Sequence, residues 1–218
     1  MRLVIGNKNY SSWSMRPWVL LRQAGIAFEE IPLKFDPEAR AVGIERYSAA
    51  RKVPVLMLEG EPVWDSLAIC EALAELHPEK SLWPAAPQAR RVARSICAEM
   101  HSGFQALRAA MPMNIRGRHP GKGMNPQVRK DIDRVVAIWL SCRERFGAGG
   151  PLLFGRFGVA DAYYAPVVMR FRTYGVSLPP AAQAYAEAVQ GLAAVRAWIE
   201  AALRETEFVA ADEPYAER

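Results

Sequence analysis

Two adjacent serines, Ser11 and Ser12, stand in a polar loop that follows a short β-branched strand and precedes a helix expected near Ser14. A hydroxyl there can donate a charge-assisted hydrogen bond to an anion, worth roughly 1.5–3 kcal/mol. The helix N-terminus adds a partial positive charge worth roughly 0.3–1 kcal/mol. A second anion-friendly place is Asp65-Ser66, which opens another helix. Helix amides and the Ser66 hydroxyl suit a carboxylate, while Asp65 suits an ammonium. Lys52 is a cation immediately before Val53-Pro54, where a third strand begins. The cysteines Cys70, Cys97 and Cys142 and the histidines His77, His101 and His119 are too scattered for a disulfide framework or a metal site.

The elements that must position these groups follow from the residue pattern. Arg2–Ile5 reads as a strand. The helix after the serine loop shows an apolar face of Val19, Leu20, Leu21 and Ala24, has Pro17 in its first turn and stops at Gly25. Phe28–Leu33 completes a βαβ unit. Val53–Leu58, the turn Glu59-Gly60-Glu61 and Pro62–Trp64 form a hairpin. A helix from Leu67 to His77 then ends at Pro78. After a proline-rich linker at 79–87 the pattern becomes purely helical. Val92, Ile96, Met100, Phe104, Leu107 and Met111 mark one face of a single long helix. Four more helices are centred on Val128–Leu140, Asp161–Tyr174, Tyr185–Val189 and Val195–Leu203, and the tail from Thr206 is loosely patterned. The sequence therefore reads as an α/β unit, 1–78, followed by an all-α unit, 88–218.

Composition narrows the function class. The chain has 218 residues, 51% hydrophobic and 23% charged, with no membrane-length apolar run, which fits a soluble, cytoplasmic protein with no membrane partner. The net charge of +5 is carried by the second unit, because residues 1–80 hold 10 basic and 11 acidic side chains. Between Glu99 and Asp131 there is no acid, but there are Arg108, Arg116, Arg118, Lys122, Arg129 and Lys130. This stretch reads as a solvated basic loop or as a field for an anionic substrate. Nucleic acid is disfavoured as a partner, because no aromatic residues interleave with these cations.

Three segments resemble one family. Lys52-Val53-Pro54-Val55-Leu56, Asp65-Ser66-Leu67-Ala68-Ile69-Cys70 and Phe154-Gly155-Arg156-Phe157-Gly158-Val159-Ala160-Asp161 are similar, in order and spacing, to signatures of the cytosolic glutathione transferases. The loop Tyr10-Ser11-Ser12-Trp13-Ser14-Met15-Arg16 resembles the Ser-Ser-Cys-Ser-x-Arg loop of the zeta class, with Trp13 in the cysteine's place. Gly158 stands where that family has Ser or Thr as a helix cap.

The resemblance implies an N-terminal thioredoxin-like domain that holds glutathione and a C-terminal helical bundle domain that holds a small electrophilic substrate. It implies a cis Val53–Pro54 bond that leaves the Val53 backbone open for the cysteinyl unit. Asp65 and Ser66 would hold the γ-glutamyl end and Lys52 the glycyl carboxylate. Ser11, with Ser12 as neighbour or substitute, would stabilise the thiolate, lowering a pKa of ~8.5 by about one to two. Arg108, Met111 and Met113, at the end of the long helix, would face the second substrate, and an anionic electrophile is expected if Arg108 or Arg116 also does. Glutathione is the implied cosubstrate, no metal is implied, and a homodimer with a role in detoxification is expected. The alternative is a non-catalytic binding or scaffold protein that kept the fold.

Overall fold

The computed structural model describes residues 1–216. Four short strands form one sheet in the order β2-β1-β3-β4. Strand β1 (Arg2–Ile5) pairs parallel with β2 (Glu29–Pro32) and antiparallel with β3 (Val55–Leu58), which pairs antiparallel with β4 (Glu61–Trp64). Alternation along these strands splits the core into two layers. Leu3, Ile5 and Leu56 pack with α1 (Ser12–Ala24) and α2 (Ser66–Leu76). Val4 and Val55 face the other way, onto Ala41 and Ile44. This is the thioredoxin-like arrangement expected from the sequence.

Helix α1 begins two residues earlier than its apolar pattern suggests. Ser11 is the N-cap and accepts a hydrogen bond from the Ser14 amide. Pro17 therefore lies inside the helix rather than in its first turn. Gly25, with φ 67, ends it as expected.

The helical unit comprises α3 (Pro87–Ser102), α4 (Gln105–Ala110), α5 (Pro126–Phe146), α6 (Val159–Tyr174), α7 (Pro180–Gly191) and α8 (Ala193–Arg204). The single long helix read over 92–111 is in fact two. Gly103 is extended and Phe104 is left-handed, with φ 60. A Cβ on Gly103 would lie 2.8 Å from the Glu99 carbonyl oxygen, so the break requires glycine. Phe104 stays buried through the break, which is why the apolar spacing looked continuous.

Helix α6 is the central element. All of its residues except Arg172 are buried, and it packs along α1. Its start explains the glycine at 158. A Cβ there would meet the Leu82 carbonyl oxygen at 2.7 Å, while the Val159 amide donates to that same oxygen at 3.0 Å. Asp161 supplies the remaining half of the cap by accepting from the Gly158 amide at 3.0 Å and the Leu153 amide at 3.1 Å. Tyr185 donates to it as well, at 3.3 Å. Burial nonetheless pushes the Asp161 carboxyl up to about 7.

The tail is better ordered than its pattern implied. It returns to the first unit and fixes the serine loop. The Glu205 carboxylate accepts from the amides of Lys8 (2.6 Å) and Asn9 (2.9 Å). Val209 is fully buried. Arg116 donates to the carbonyls of Glu205 and Glu207 and to the Tyr10 hydroxyl.

Candidate active site

A cleft of about 740 Å³ opens where the thioredoxin-like unit meets the helices. Ser11, Ser12, Lys52, Val53, Pro54, Asp65 and Ser66 all line it, so residues spread over the first sixty-six positions come together on one wall. The opposite wall carries Gln105, Arg108, Pro112, Arg170 and Asp212. A smaller cavity of about 340 Å³ lies beside Leu82, Trp83, Phe154 and Phe157 and holds none of the predicted site residues.

The two serines have different local roles. Ser11 is committed: it caps α1 and its hydroxyl donates to Ser14 Oγ at 2.7 Å. Ser14 in turn accepts from the Gly6 amide, tying the loop to β1. Ser12 is the first residue of α1, and its Oγ accepts from the Arg170 guanidinium at 3.2 Å. Among the described residues the Ser12 hydroxyl donates to no acceptor, so its proton is available to whatever binds in the cleft.

The Val53–Pro54 bond is cis. Neither the N–H nor the C=O of Val53 is in a hydrogen bond among the described residues. Asp65 caps α2 by accepting from the Leu67 amide at 2.8 Å and adopts φ 73. Such a conformation in a non-glycine residue costs of order 1–3 kcal/mol and persists where surrounding structure enforces it. Ser66 is buried, and its Oγ lies 3.1 Å from the Tyr163 hydroxyl and accepts from Arg16 at 3.4 Å. Lys52 is exposed on the rim beside Arg51 and Arg40.

The far wall is more cationic than the sequence suggested. Arg108 stacks on the Trp13 ring, 4.7 Å from its centroid, and Arg16 of α1, buried and not itself lining the cleft, stacks on the same ring at 4.2 Å. Arg108 donates to the Gly103, Met100 and His101 carbonyls and so spans the break between α3 and α4. Burial, then the charges of Arg16 and Arg170, lowers Arg108 to about 9. Arg170 is lowered to about 10, first by burial and then by Arg16. None of these three arginines has a carboxylate within 4.0 Å among the described residues.

Two predicted wall residues are corrected. Met111 and Met113 are 0% and 1% exposed and do not line the cleft, because the chain turns inward after α4. Arg116 is likewise spent on the tail rather than on the cleft. Arg40, Arg51, His101, Arg170 and Asp212 were not anticipated. The available signal for Arg170 was an arginine on the otherwise apolar side of a helix whose other arginine, Arg172, can reach solvent. His101 Nε2 lies 3.1 Å from Asp65 and Nδ1 lies 3.4 Å from the Tyr163 hydroxyl. Asp212 is raised to about 6 by burial, against the pull of Arg170. The buried thiols are all pushed up by desolvation, which makes them poor nucleophiles.

Comparison with known proteins places this geometry. Residues 10–76 match the model of the glutathione S-transferase N-terminal domain, and residues 125–201 that of the C-terminal domain. A maleylacetoacetate isomerase of Mus musculus is 33% identical over 174 residues, covering 78% of each chain. The chain belongs to the glutathione transferase family. It is accordingly an enzyme, a glutathione S-transferase. A probable maleylacetoacetate isomerase of Caenorhabditis elegans is 25% identical over 171 residues, again covering 78% of both chains. Among solved structures, a glutathione transferase homologue from Burkholderia gl BGR1 with bound glutathione superposes with a TM-score of 0.69. It is 22% identical, over 92% of this chain and 97% of that one, and shows the shared fold. Among the described residues of this transferase no group of His, Cys, Asp and Glu could hold a metal, and no helix is long and apolar enough to cross a membrane.

Proposed function

We propose that glutathione lies along the cleft wall formed by Lys52, Val53, Asp65 and Ser66, with its thiol at the N-terminus of α1. The glycyl carboxylate meets the basic rim of Arg40, Arg51 and Lys52. The cysteinyl unit pairs with the free N–H and C=O of Val53. The γ-glutamyl carboxylate takes the α2 amides and Ser66, and its ammonium takes Asp65. The observation that carries this reading is the Ser12 hydroxyl, which lines the cleft at a helix N-terminus with its proton unspent. Ser11, the other candidate, supports the loop by capping it.

The electrophile enters against Trp13, Gln105, Arg108 and Pro112. Thiolate attack on its carbon forms the C–S bond, and the substrate's electron pair moves to a leaving group or onto a conjugated oxygen. If the adduct instead expels the thiolate again, the net result is isomerisation. The relatives named maleylacetoacetate isomerase favour including that outcome. The arginine-lined wall favours an anionic electrophile. A homodimer, a cytoplasmic setting, a role in detoxification and a division into domains 1–78 and 88–218 belong to the same proposal and rest on the family resemblance.

Titration with glutathione at neutral pH, followed by thiolate absorbance, tests the reading. A saturable thiolate signal that disappears in the Ser11→Ala, Ser12→Ala double variant is expected. No signal at millimolar glutathione would overturn it.

A further inference from the structure

Arg170 is a costly residue to keep where it is. It sits in the C-terminal half of the most buried helix of the chain, buried against the cleft, with no carboxylate within 4.0 Å among the described residues. An unpaired buried cation is retained against a large solvation penalty. Its neighbours do little to offset the charge. Arg16 on α1 and Arg108 on α4 repel it, and only Asp212 on the tail and the Tyr174 phenol on its own helix oppose them.

The guanidinium is nevertheless firmly held. One terminal nitrogen donates to the Met111 carbonyl and, at 3.5 Å, to that of Arg108. The other donates to Ser12 Oγ at 3.2 Å. Arginine has no acceptor, so the Ser12 oxygen must accept in this pair. A hydroxyl that accepts on one side directs its single proton elsewhere, and Ser12 lines the cleft.

We propose that Arg170, reaching from the helical unit, is the positioning residue that activates the cosubstrate. It fixes Ser12 as an acceptor, aims the Ser12 proton at the glutathione sulfur, and adds a positive charge beside it. This rests on the reading that glutathione occupies the cleft with its sulfur at α1. In the step itself the S–H proton leaves to solvent water and the sulfur keeps the bonding pair as a thiolate. The Ser12 O–H bond stays intact and donates to that thiolate. Asp212 acts against Arg170, because a carboxylate on the same wall disfavours a second anion. The two units of the enzyme are thus chemically interdependent: the thioredoxin-like unit holds the tripeptide, and a helix of the other unit sets its ionisation.

The test is the midpoint pH of thiolate formation in bound glutathione, read by ultraviolet difference absorbance. Arg170→Met is expected to raise that midpoint by about one pH unit or more, since an opposite charge within about 4–6 Å lowers an acid's pKa by about 1–3. Arg170→Lys recovers part of the rise. In a Ser12→Ala background the further effect of Arg170→Met is expected to be smaller, because half of the device is already gone. If Arg170→Met does not fold, Arg170→Gln retains a donor for the Met111 carbonyl and gives the same reading. A folded Arg170 variant that binds glutathione with an unchanged midpoint overturns the proposal. So does a rise of the same size with and without the Ser12 hydroxyl. Loss of the thiolate signal from the unaltered enzyme would instead overturn the underlying assignment of glutathione to the cleft.

Discussion

His101 Nε2 lies 3.1 Å from the Asp65 carboxylate, joining helix α3 to the strained residue that caps α2. Burial, reinforced by Arg16 and Arg108, holds the imidazole below its ordinary pKa despite the pull of Asp65. At neutral pH the ring is therefore uncharged and sets no positive charge against a ligand ammonium at Asp65. As the pH falls through the lowered pKa, the imidazolium competes for the same carboxylate. A half-exposed pair of this kind is worth about 0.2–1 kcal/mol, so glutathione affinity should fall up to about fivefold. Calorimetric titration between pH 5 and 7.5 checks this, and the fall should vanish in His101→Gln. A pH-independent affinity in the unaltered enzyme would refute the competition.

Separating the serines is the second prediction. Ser11→Ala removes an N-cap and should cost about 1 kcal/mol of stability in urea unfolding. Ser12→Ala strands one nitrogen of Arg170, at about 1–3 kcal/mol of stability, and in addition should lower kcat/KM by roughly 10- to 150-fold, the equivalent of a charge-assisted bond of about 1.5–3 kcal/mol. A fall in kcat/KM in Ser11→Ala and not in Ser12→Ala would make Ser11 the activating group.

Removing the Asp161 carboxylate strands the Leu153 and Gly158 amides and the Tyr185 hydroxyl in the core. Asp161→Ala is expected to cost about 3 kcal/mol or more. The pH dependence has a definite sign. The folded-state pKa of about 7 lies above the unfolded value of 3.8, so the stability from proton uptake is fully present below 3.8 and is lost as pH rises to about 7. Urea midpoints at pH 5 and pH 8 should therefore differ more in the unaltered enzyme than in Asp161→Ala.

Restoring a hydroxyl cap at 158 should fail. Gly158→Ser gains a few tenths of a kcal/mol from capping. It also drives a Cβ to 2.7 Å from the Leu82 carbonyl, an overpacking that costs about 1–3 kcal/mol. A net drop in thermal midpoint is expected, and a rise would show that the linker yields.

What the sequence disclosed was set by local chemistry. Arg2–Ile5, the stop at Gly25 and the Asp65 cap each depend on neighbours a few positions away, and each lies where its residues indicate. The kink at Gly103-Phe104 was hidden because Phe104 keeps its apolar phase while its backbone turns left-handed. Met111 and Met113 share the composition of an adaptable pocket wall, and only the inward path of the chain assigns them to the core. Arg170 meets Ser12 across 158 positions, a distance at which no spacing rule operates.

Glu205 closes the amides of Lys8 and Asn9 across almost the whole length of the sequence. During synthesis the serine loop emerges early, yet its backbone must wait for a carboxylate made nearly two hundred residues later. Such closure belongs to the slow, high-contact-order part of folding. The thioredoxin-like half, expressed alone, would carry an unfinished loop, so the reacting end of this enzyme is not a portable module.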